Sequence, residues 1–189
     1  MKDVKIVCMG DSLTEGYEIN PAKRWSDLLS RKMGIEFINS GISGDTTGGM
    51  LARFQPMVVA HQPTHVIIMG GTNDLWINLP DELILSNILA MTRQANYHEI
   101  IPIIGIPTPY FFEDSPLAES IFITDRKLSD RIDIFCEKLR QFAREDEHPV
   151  IDFSVNMTRD LFQEDGVHPN EKGQEVMAEQ ALIALKNIF

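Results

Sequence analysis

Cysteine is scarce in this chain of 189 residues, which contains only Cys8 and Cys136. Two cysteines cannot by themselves supply the ligand set of a structural zinc site, and small disulfide-stabilised proteins contain many more. Cys8 lies within an apolar run and Cys136 within a helical pattern. We therefore predict two buried free thiols and no disulfide.

Long apolar stretches are also missing. No segment approaches the roughly 20 apolar residues that a transmembrane helix requires. The N-terminal residues MKDVKIV are too short a segment, and too similar to a strand, to be a signal peptide. We therefore expect no membrane span and a cytoplasmic location for the chain as given.

Basic side chains are in deficit, because 28 acidic residues stand against 17 basic ones and the net charge is −11. A field of this sign repels the phosphates of nucleic acids and anionic lipids, so neither is expected as a partner. The negative charge is compatible with a neutral small-molecule substrate and also favours solubility. The oligomeric state stays open.

Five short apolar runs predict the strands of the fold. They are VKIVCM (4–9), EFIN (36–39), HVIIM (65–69), IIPIIGI (100–106) and VIDF (150–153). Such runs are typical of strands buried on both faces, as in a parallel sheet. Pro102 lacks the N–H that a sheet hydrogen bond needs, so we predict that the fourth strand begins at or after Pro102.

Helical patterns lie between these runs, and each has its apolar residues on one face. The clearest comprise Ile84, Ile88, Met91 and Ala95; Ile132, Phe135, Leu139 and Phe142; and Met177, Ala181, Leu185 and Ile188. Strands that alternate with helices predict a three-layer α/β/α domain. The length and the absence of a linker or repeat favour one domain over residues 1–189.

Polar, glycine-rich segments follow the predicted strands. They are GDSLTEG (10–16), NSGISGDTTGG (39–49), GGTND (70–74), a long loop at 107–120, and EDGVHPN (164–170). Ligands of open parallel sheets bind beyond the carboxyl ends of the strands. If these segments share that edge, Ser12, Gly44, Asn73, Asp165 and His168 lie close together.

Each of these five residues has a chemical use in acyl transfer. Serine needs an adjacent base to act as a nucleophile, and His168 can take its proton. Asp165 precedes His168 by three residues, close enough to hold the imidazole in one tautomer. Backbone N–H groups of Ser12 and Gly44 and the side-chain amide of Asn73 can stabilise the resulting oxyanion.

Alternative roles remain open for several of these positions. Asp165 precedes a glycine and can equally shape a turn, whereas Asp11 and Asp74 are rivals for the third triad position. We expect Asp11 and Asp74 to bind backbone N–H groups and brace their loops. Asn73 can also close a local turn.

The polar blocks resemble those of the GDSL, or SGNH, hydrolase superfamily. The blocks that carry the resemblance are GDSLTEG, SGISGDTT, GGTND and DGVHPN, in this order. The Ser, Gly, Asn and His of the SGNH name correspond to Ser12, Gly44, Asn73 and His168. In the family pattern, Asp165 and His168 complete a triad with Ser12.

This resemblance implies a flavodoxin-like five-stranded parallel sheet of order 2-1-3-4-5 and a serine esterase mechanism without metal or cofactor. It implies small ester substrates, and the choice among short acyl esters, thioesters, lysophospholipids and O-acetylated sugars stays open. In the 107–120 loop, Pro109, Tyr110, Phe111 and Phe112 either line an apolar substrate pocket or anchor the loop to the core.

Two other functions compete with the serine esterase. The first is a metal-dependent phosphoesterase, with oxygen and nitrogen ligands from Asp11, Asn73, Asp74, Asp165 and His168. The argument against this function is that the sequence offers only one plausible histidine ligand. The second is a non-catalytic flavodoxin-like binding module, although the first loop lacks a G-x-G-x-x-G phosphate-binding pattern.

Overall fold

The computed structural model describes residues 4–112 and 128–189. Its centre is a five-stranded, wholly parallel sheet with strand order β2-β1-β3-β4-β5, as the family resemblance implied. The strands are β1 (Lys5–Gly10), β2 (Glu36–Gly41), β3 (His65–Met69), β4 (Ile101–Ile106) and β5 (Val150–Asp152). The predicted fold class is confirmed. Within the described ranges, no helix has both the length and the apolar character needed to cross a bilayer.

Eight α-helices lie among the described residues and connect or flank the strands. They are α1 (Ser12–Glu15), α2 (Trp25–Met33), α3 (Thr47–Ala52), α4 (Phe54–Met57), α5 (Thr72–Trp76), α6 (Asp81–Tyr97), α7 (Leu128–Glu145) and α8 (Glu171–Leu185). Short 3-10 helices occur at Pro21–Lys23, Val59–His61 and Arg159–Leu161.

The sheet separates two apolar cores, because successive side chains of a strand point to opposite faces. In β1, Val7 and Met9 pack into one core and Ile6 and Cys8 into the other. The first core is completed by α3, α4, α6 and α7, and the second by α2 and α8. Cys8 and Cys136 are both buried free thiols, as predicted.

The prediction for Pro102 is wrong by one residue, since β4 begins at Ile101. Along a strand, successive N–H groups point to opposite neighbours. Ile101 donates to Thr64 on the β3 side, so the nitrogen of Pro102 faces the β5 side. Pairing with β5 begins only at Ile104. Pro102 therefore occupies a position where no donor is required.

Trp25 connects the second core to the segment that carries Ser12. Its side chain is fully buried, and its ring contacts that of Phe153 with centroids 4.9 Å apart. The indole N–H donates to the carbonyl of Leu13 (3.1 Å), and the Trp25 backbone N–H donates to the Gln174 side chain (2.9 Å). One residue thus joins α1, α2 and α8.

Replacing Trp25 tests this packing. Trp25→Ala removes a large buried side chain and leaves a cavity, so we expect a loss of about 3–5 kcal/mol in unfolding free energy. Tyr97→Ala is the matched control, because Tyr97 is 83% exposed and a surface change should stay within about 0.5 kcal/mol. Urea unfolding measures both values, and equal effects for the two variants would contradict the proposed packing role.

Candidate active site

The GDSLTEG segment forms the end of β1 and a single helical turn. Asp11 caps α1, and its Oδ1 accepts a hydrogen bond from the Leu13 N–H (2.9 Å). Ser12 is therefore the first helical residue, where the backbone N–H has no acceptor within the helix. This local structure leaves both the hydroxyl and the N–H of Ser12 at the carboxyl edge of the sheet.

Ser12, His168 and Asp165 form a continuous chain of hydrogen bonds. The Ser12 Oγ lies 2.9 Å from His168 Nε2, although the two residues are 156 positions apart. His168 Nδ1 lies 2.6 Å from Asp165 Oδ2. The structure thus brings together the three residues that the sequence analysis selected, with one ring nitrogen facing the hydroxyl and the other facing the carboxylate.

The loop that carries Asp165 orders its carboxylate. Asp165 Oδ1 accepts hydrogen bonds from the N–H groups of Val167 (2.8 Å) and His168 (3.0 Å). Gly166 has a φ of +67°, and a Cβ there would lie 2.2 Å from the carbonyl oxygen of Phe111, so a side chain does not fit. Asp165 therefore both shapes the turn and contacts the imidazole.

Burial alone would raise the pKa of Asp165, but the hydrogen bonds from the His168 side chain, the His168 N–H and the Val167 N–H outweigh it. Together they lower the pKa to about 2. The carboxylate is consequently ionised at neutral pH. An ionised partner of this kind favours a protonated Nδ1 on His168 and leaves Nε2 free to face Ser12.

The three expected oxyanion donors, Ser12, Gly44 and Asn73, follow the ends of β1, β2 and β3. Asn73 follows β3 at the start of α5 and lines the same cleft as Ser12 and His168. One hydrogen of its side-chain amide is donated to the Asp45 carbonyl (2.9 Å), and an amide has a second hydrogen to donate. Gly44 adopts a φ of +79°, a left-handed conformation that glycine tolerates.

Asp11 and Asp74 are fully buried and brace loops, as the sequence analysis expected. Asp11 Oδ2 accepts from the Thr72 hydroxyl, in addition to the Leu13 contact of Oδ1. Asp74 accepts from the backbone N–H (2.9 Å) and the hydroxyl (2.6 Å) of Thr47. Burial raises the pKa of Asp11 to about 6, although the hydrogen bonds from Thr72 and Leu13 act to lower it. Of the three aspartates, it is Asp165 whose carboxylate is hydrogen-bonded to the His168 ring.

A cleft of about 310 Å³ opens at the Ser12 hydroxyl. Its lining residues are Ser12, Tyr17, Asn73, Trp76, Tyr110, Phe112, Asp165, Val167 and His168. Tyr110 and Phe112, two of the four residues named from the 107–120 loop, are therefore at the site. Residues 113–120 of that loop lie outside the described residues.

The other two residues named from that loop face elsewhere. Phe111 packs on Phe162 with ring centroids 5.2 Å apart, and its N–H donates to the Gly166 carbonyl (2.7 Å). Pro109 lines a separate cavity beside Cys136 and Arg140. Phe111 thus anchors the loop that carries Asp165.

Sequence reasoning missed Tyr17, Trp76 and Val167 as cleft residues. The Tyr17 ring lies 4.4 Å from the His168 ring, centroid to centroid, and Trp76 makes an edge contact with Phe112 at 4.7 Å. Tyr17 directly follows GDSLTEG, and Trp76 follows GGTND after one residue. Aromatic residues next to the polar blocks were the available signal.

A roomier cavity of about 780 Å³ lies at the opposite end of the sheet. It is lined by Lys5, Val59, Gln62, Pro63, Thr64, His98, Glu99, Ile100 and Ile101. Several of these residues flank the amino ends of β1, β3 and β4. The cavity is remote from Ser12, and cavity size alone therefore does not locate the chemistry.

Comparison with known proteins agrees with the arrangement of the polar blocks. A model of the GDSL-like lipase/acylhydrolase family matches residues 8–176. The chain belongs to this family. It is accordingly an ester-hydrolysing enzyme of the serine hydrolase type.

Curated and structural relatives of this GDSL-family chain cover nearly all of it. An arylesterase from Vibrio mimicus is 27% identical over 93% of this chain and 84% of its own length. Thioesterase 1/protease 1/lysophospholipase L1 of Escherichia coli is 29% identical over 92% of this chain and 79% of its own length. The esterase EstA from Pseudoalteromonas, in a structure inhibited by monoethylphosphonate, is 25% identical with a TM-score of 0.79 and covers 98% of each chain.

Family membership weighs against the two competing functions. A GDSL-family enzyme uses serine chemistry, unlike a metal-dependent phosphoesterase or a non-catalytic binding module. The carboxylates of Asp11 and Asp74 are also engaged by Thr72 and Thr47. Within residues 4–112 and 128–189, no three His, Cys, Asp or Glu side chains are grouped to hold a metal ion.

The lowered pKa of Asp165 predicts a specific acid dependence of stability. Because its folded-state pKa of about 2 lies below the ordinary 3.8, the ionised carboxylate stabilises the fold above pH 3.8, and this contribution is lost as the pH falls towards 2. We therefore expect wild type to be more stable than Asp165→Asn at pH 5, with the difference shrinking between pH 4 and 2. Urea unfolding across this range measures it, and a difference that grows on acidification would contradict the assignment.

Proposed function

We propose that this chain is a serine esterase/acylhydrolase that cleaves small carboxylic esters through a Ser12–His168–Asp165 triad and an acyl-enzyme. The proposal is carried by one observation, the hydrogen-bond chain of 2.9 Å from Ser12 Oγ to His168 Nε2 and 2.6 Å from His168 Nδ1 to Asp165 Oδ2. Such a chain places an imidazole base directly beside a hydroxyl that is a weak nucleophile on its own.

In the first step, Ser12 Oγ attacks the ester carbonyl carbon while His168 Nε2 takes the hydroxyl proton. Asp165 stays ionised, because its pKa is about 2, and accepts the Nδ1–H of the imidazolium that forms. The carbonyl oxygen becomes an oxyanion, which accepts hydrogen bonds from the N–H groups of Ser12 and Gly44 and from the Asn73 amide.

Collapse of this intermediate breaks the bond to the leaving alcohol, which receives the proton from His168. A water molecule then loses a proton to His168 and attacks the acyl-enzyme. The second tetrahedral intermediate releases the carboxylic acid and returns the proton to Ser12. The complete cycle consumes one ester and one water molecule, produces one alcohol and one carboxylic acid, and regenerates the enzyme.

The cleft supports small acyl or aryl groups as substrates. Four aromatic side chains line it, so the walls are apolar and rigid next to the polar reaction centre. The Trp76–Phe112 edge contact forms one wall. The relatives' names, arylesterase and thioesterase/lysophospholipase, extend the range to aryl esters, thioesters and lysophospholipids. Because the cleft measures only about 310 Å³, we expect short acyl esters to be the preferred substrates.

Replacing Ser12 tests the nucleophile. Ser12→Ala removes the attacking oxygen, so we expect p-nitrophenyl acetate hydrolysis to fall to background while circular dichroism and thermal stability show a folded protein. Ser86→Ala is the matched control, because Ser86 lies on α6 and donates to the Glu82 carbonyl (2.7 Å), and it should retain full activity. A Ser12→Ala enzyme with wild-type turnover would refute the triad.

A covalent probe separates serine chemistry from the metal-dependent alternative. A fluorophosphonate should label wild type at Ser12, as peptide mass spectrometry can show, and should leave Ser12→Ala unlabelled. EDTA should leave hydrolysis unchanged. Activity that is lost in EDTA and restored by a divalent ion, without labelling of Ser12, would favour metal-dependent hydrolysis.

An acyl-chain series tests the wall formed by Trp76. Wild type should prefer acetate and butyrate over longer p-nitrophenyl esters, whereas Trp76→Ala should gain relative kcat/KM for hexanoate and octanoate. Each extra methylene that becomes buried is worth about 0.8 kcal/mol, or roughly fourfold. Ile77→Ala is the control, since Ile77 is 58% exposed and does not line the cleft. An identical chain-length profile in all three enzymes would remove Trp76 from the substrate wall.

A further inference from the structure

The segment of residues 42–46, here called the Gly44 loop, is held by charged side chains on two sides. On one side, Glu15 Oε2 accepts a hydrogen bond from the Ser43 N–H (2.6 Å) and another from the Ser43 hydroxyl. On the other side, Arg53 pairs with Asp45, with 2.6 Å between Nε and Oδ2. Gly44 lies between these two attachment points.

Arg53 joins the Gly44 loop to the ends of two neighbouring strands, β1 and β2. Its Nη2 donates to the carbonyl of Gly10 (2.8 Å), the last residue of β1, and its Nη1 donates to the carbonyl of Ser40 (2.8 Å) in β2. The side chains of Arg53 and Asp45 are only 15% and 13% exposed. Solvent therefore screens this pair weakly, and the planar guanidinium satisfies three acceptors in fixed directions.

Asp45, the residue of the Gly44 loop that pairs with Arg53, also contacts Asn73. The Asp45 carbonyl accepts a hydrogen bond from the Asn73 side-chain amide (2.9 Å). Asp45 is thus bonded through its side chain to Arg53 and through its backbone to Asn73. Two of the three expected oxyanion donors, the Gly44 N–H and the Asn73 amide, are therefore coupled to Gly10, which precedes Asp11 and Ser12.

We propose that Arg53 is a positioning residue of the oxyanion hole, and this inference rests on the proposed esterase function. Arg53 contacts no reacting atom. Its three hydrogen bonds hold the Gly44 loop and, through Asp45, the Asn73 amide at a set distance from Ser12. Lysine at this position carries the charge but cannot reach three acceptors in one plane.

Arg53→Lys tests the proposal through kinetics rather than stability alone. Oxyanion stabilisation acts in the transition state, so kcat for p-nitrophenyl acetate should fall on the order of 10- to 100-fold while KM stays close to wild type. The rate of phosphonylation by a fluorophosphonate should fall by a similar factor, because its phosphoryl oxygen occupies the oxyanion position.

A double-mutant cycle with Asn73→Ala tests whether Arg53 acts through the oxyanion hole. If both residues support the same donors, Arg53→Lys should cost much less in the Asn73→Ala background than in wild type. Effects on kcat that simply multiply would show that Arg53 acts independently of Asn73, and would overturn the proposal.

Arg140→Lys is the matched control. Arg140 also pairs with an aspartate through Nε, at 2.9 Å from Asp152 Oδ2, and also reaches a second acceptor, Ser154. It does not contact the Gly44 loop through these bonds. This variant should lower the midpoint of thermal unfolding without changing kcat or the phosphonylation rate.

Unchanged kcat and phosphonylation in a destabilised Arg53→Lys enzyme would overturn the proposal and leave Arg53 a purely structural role. If Arg53→Lys does not fold, Asp45→Ala decides the question, since it breaks the ion pair and leaves Arg53 its two strand carbonyls. The same fall in kcat is then expected. The Ser12→Ala measurement separates failure of this inference from failure of the proposed function, because an active Ser12→Ala enzyme refutes the esterase mechanism itself.

Discussion

The hydrogen-bond ladder of the parallel sheet is the constraint on which the candidate site depends. Gly10 at the end of β1 is paired with Gly41 of β2 and Met69 of β3, so three strands end at the same level. Strand direction then obliges the loops that follow them to leave from one edge. Residues far apart in sequence, such as Ser12 and His168, therefore meet at this edge as a consequence of strand direction.

The aspartates at this edge of the sheet fall into two groups: Asp165 lines the cleft, whereas Asp11 and Asp74 brace the loops around it. Asp165 is partly exposed, strongly hydrogen-bonded and of low pKa, whereas Asp11 is fully buried and has a raised pKa. Burial dominates for Asp11, and donated hydrogen bonds dominate for Asp165. Asp165 therefore contacts the His168 ring, whereas the buried Asp11 and Asp74 brace loops.

Much of the fold was predictable because apolar runs and helical periodicity report burial directly. The strand runs and the buried faces of α6, α7 and α8 are local patterns. The predicted start of β4 was wrong because a proline at position 102 is tolerated only when pairing with β5 begins further along the strand. The Tyr17–His168 stacking and the Arg53 contacts also escaped, since each depends on a partner that no local pattern identifies.

By itself, the sequence determined the fold class, the family resemblance and the identity of the polar residues that follow each strand, because these properties reside in local composition and order. The tertiary structure alone decided which of three aspartates faces His168, which loop aromatics line the cleft, and how Arg53 joins the Gly44 loop to the sheet. These outcomes depend on distances between segments, and such distances exist only once the strands have paired and the two cores have packed.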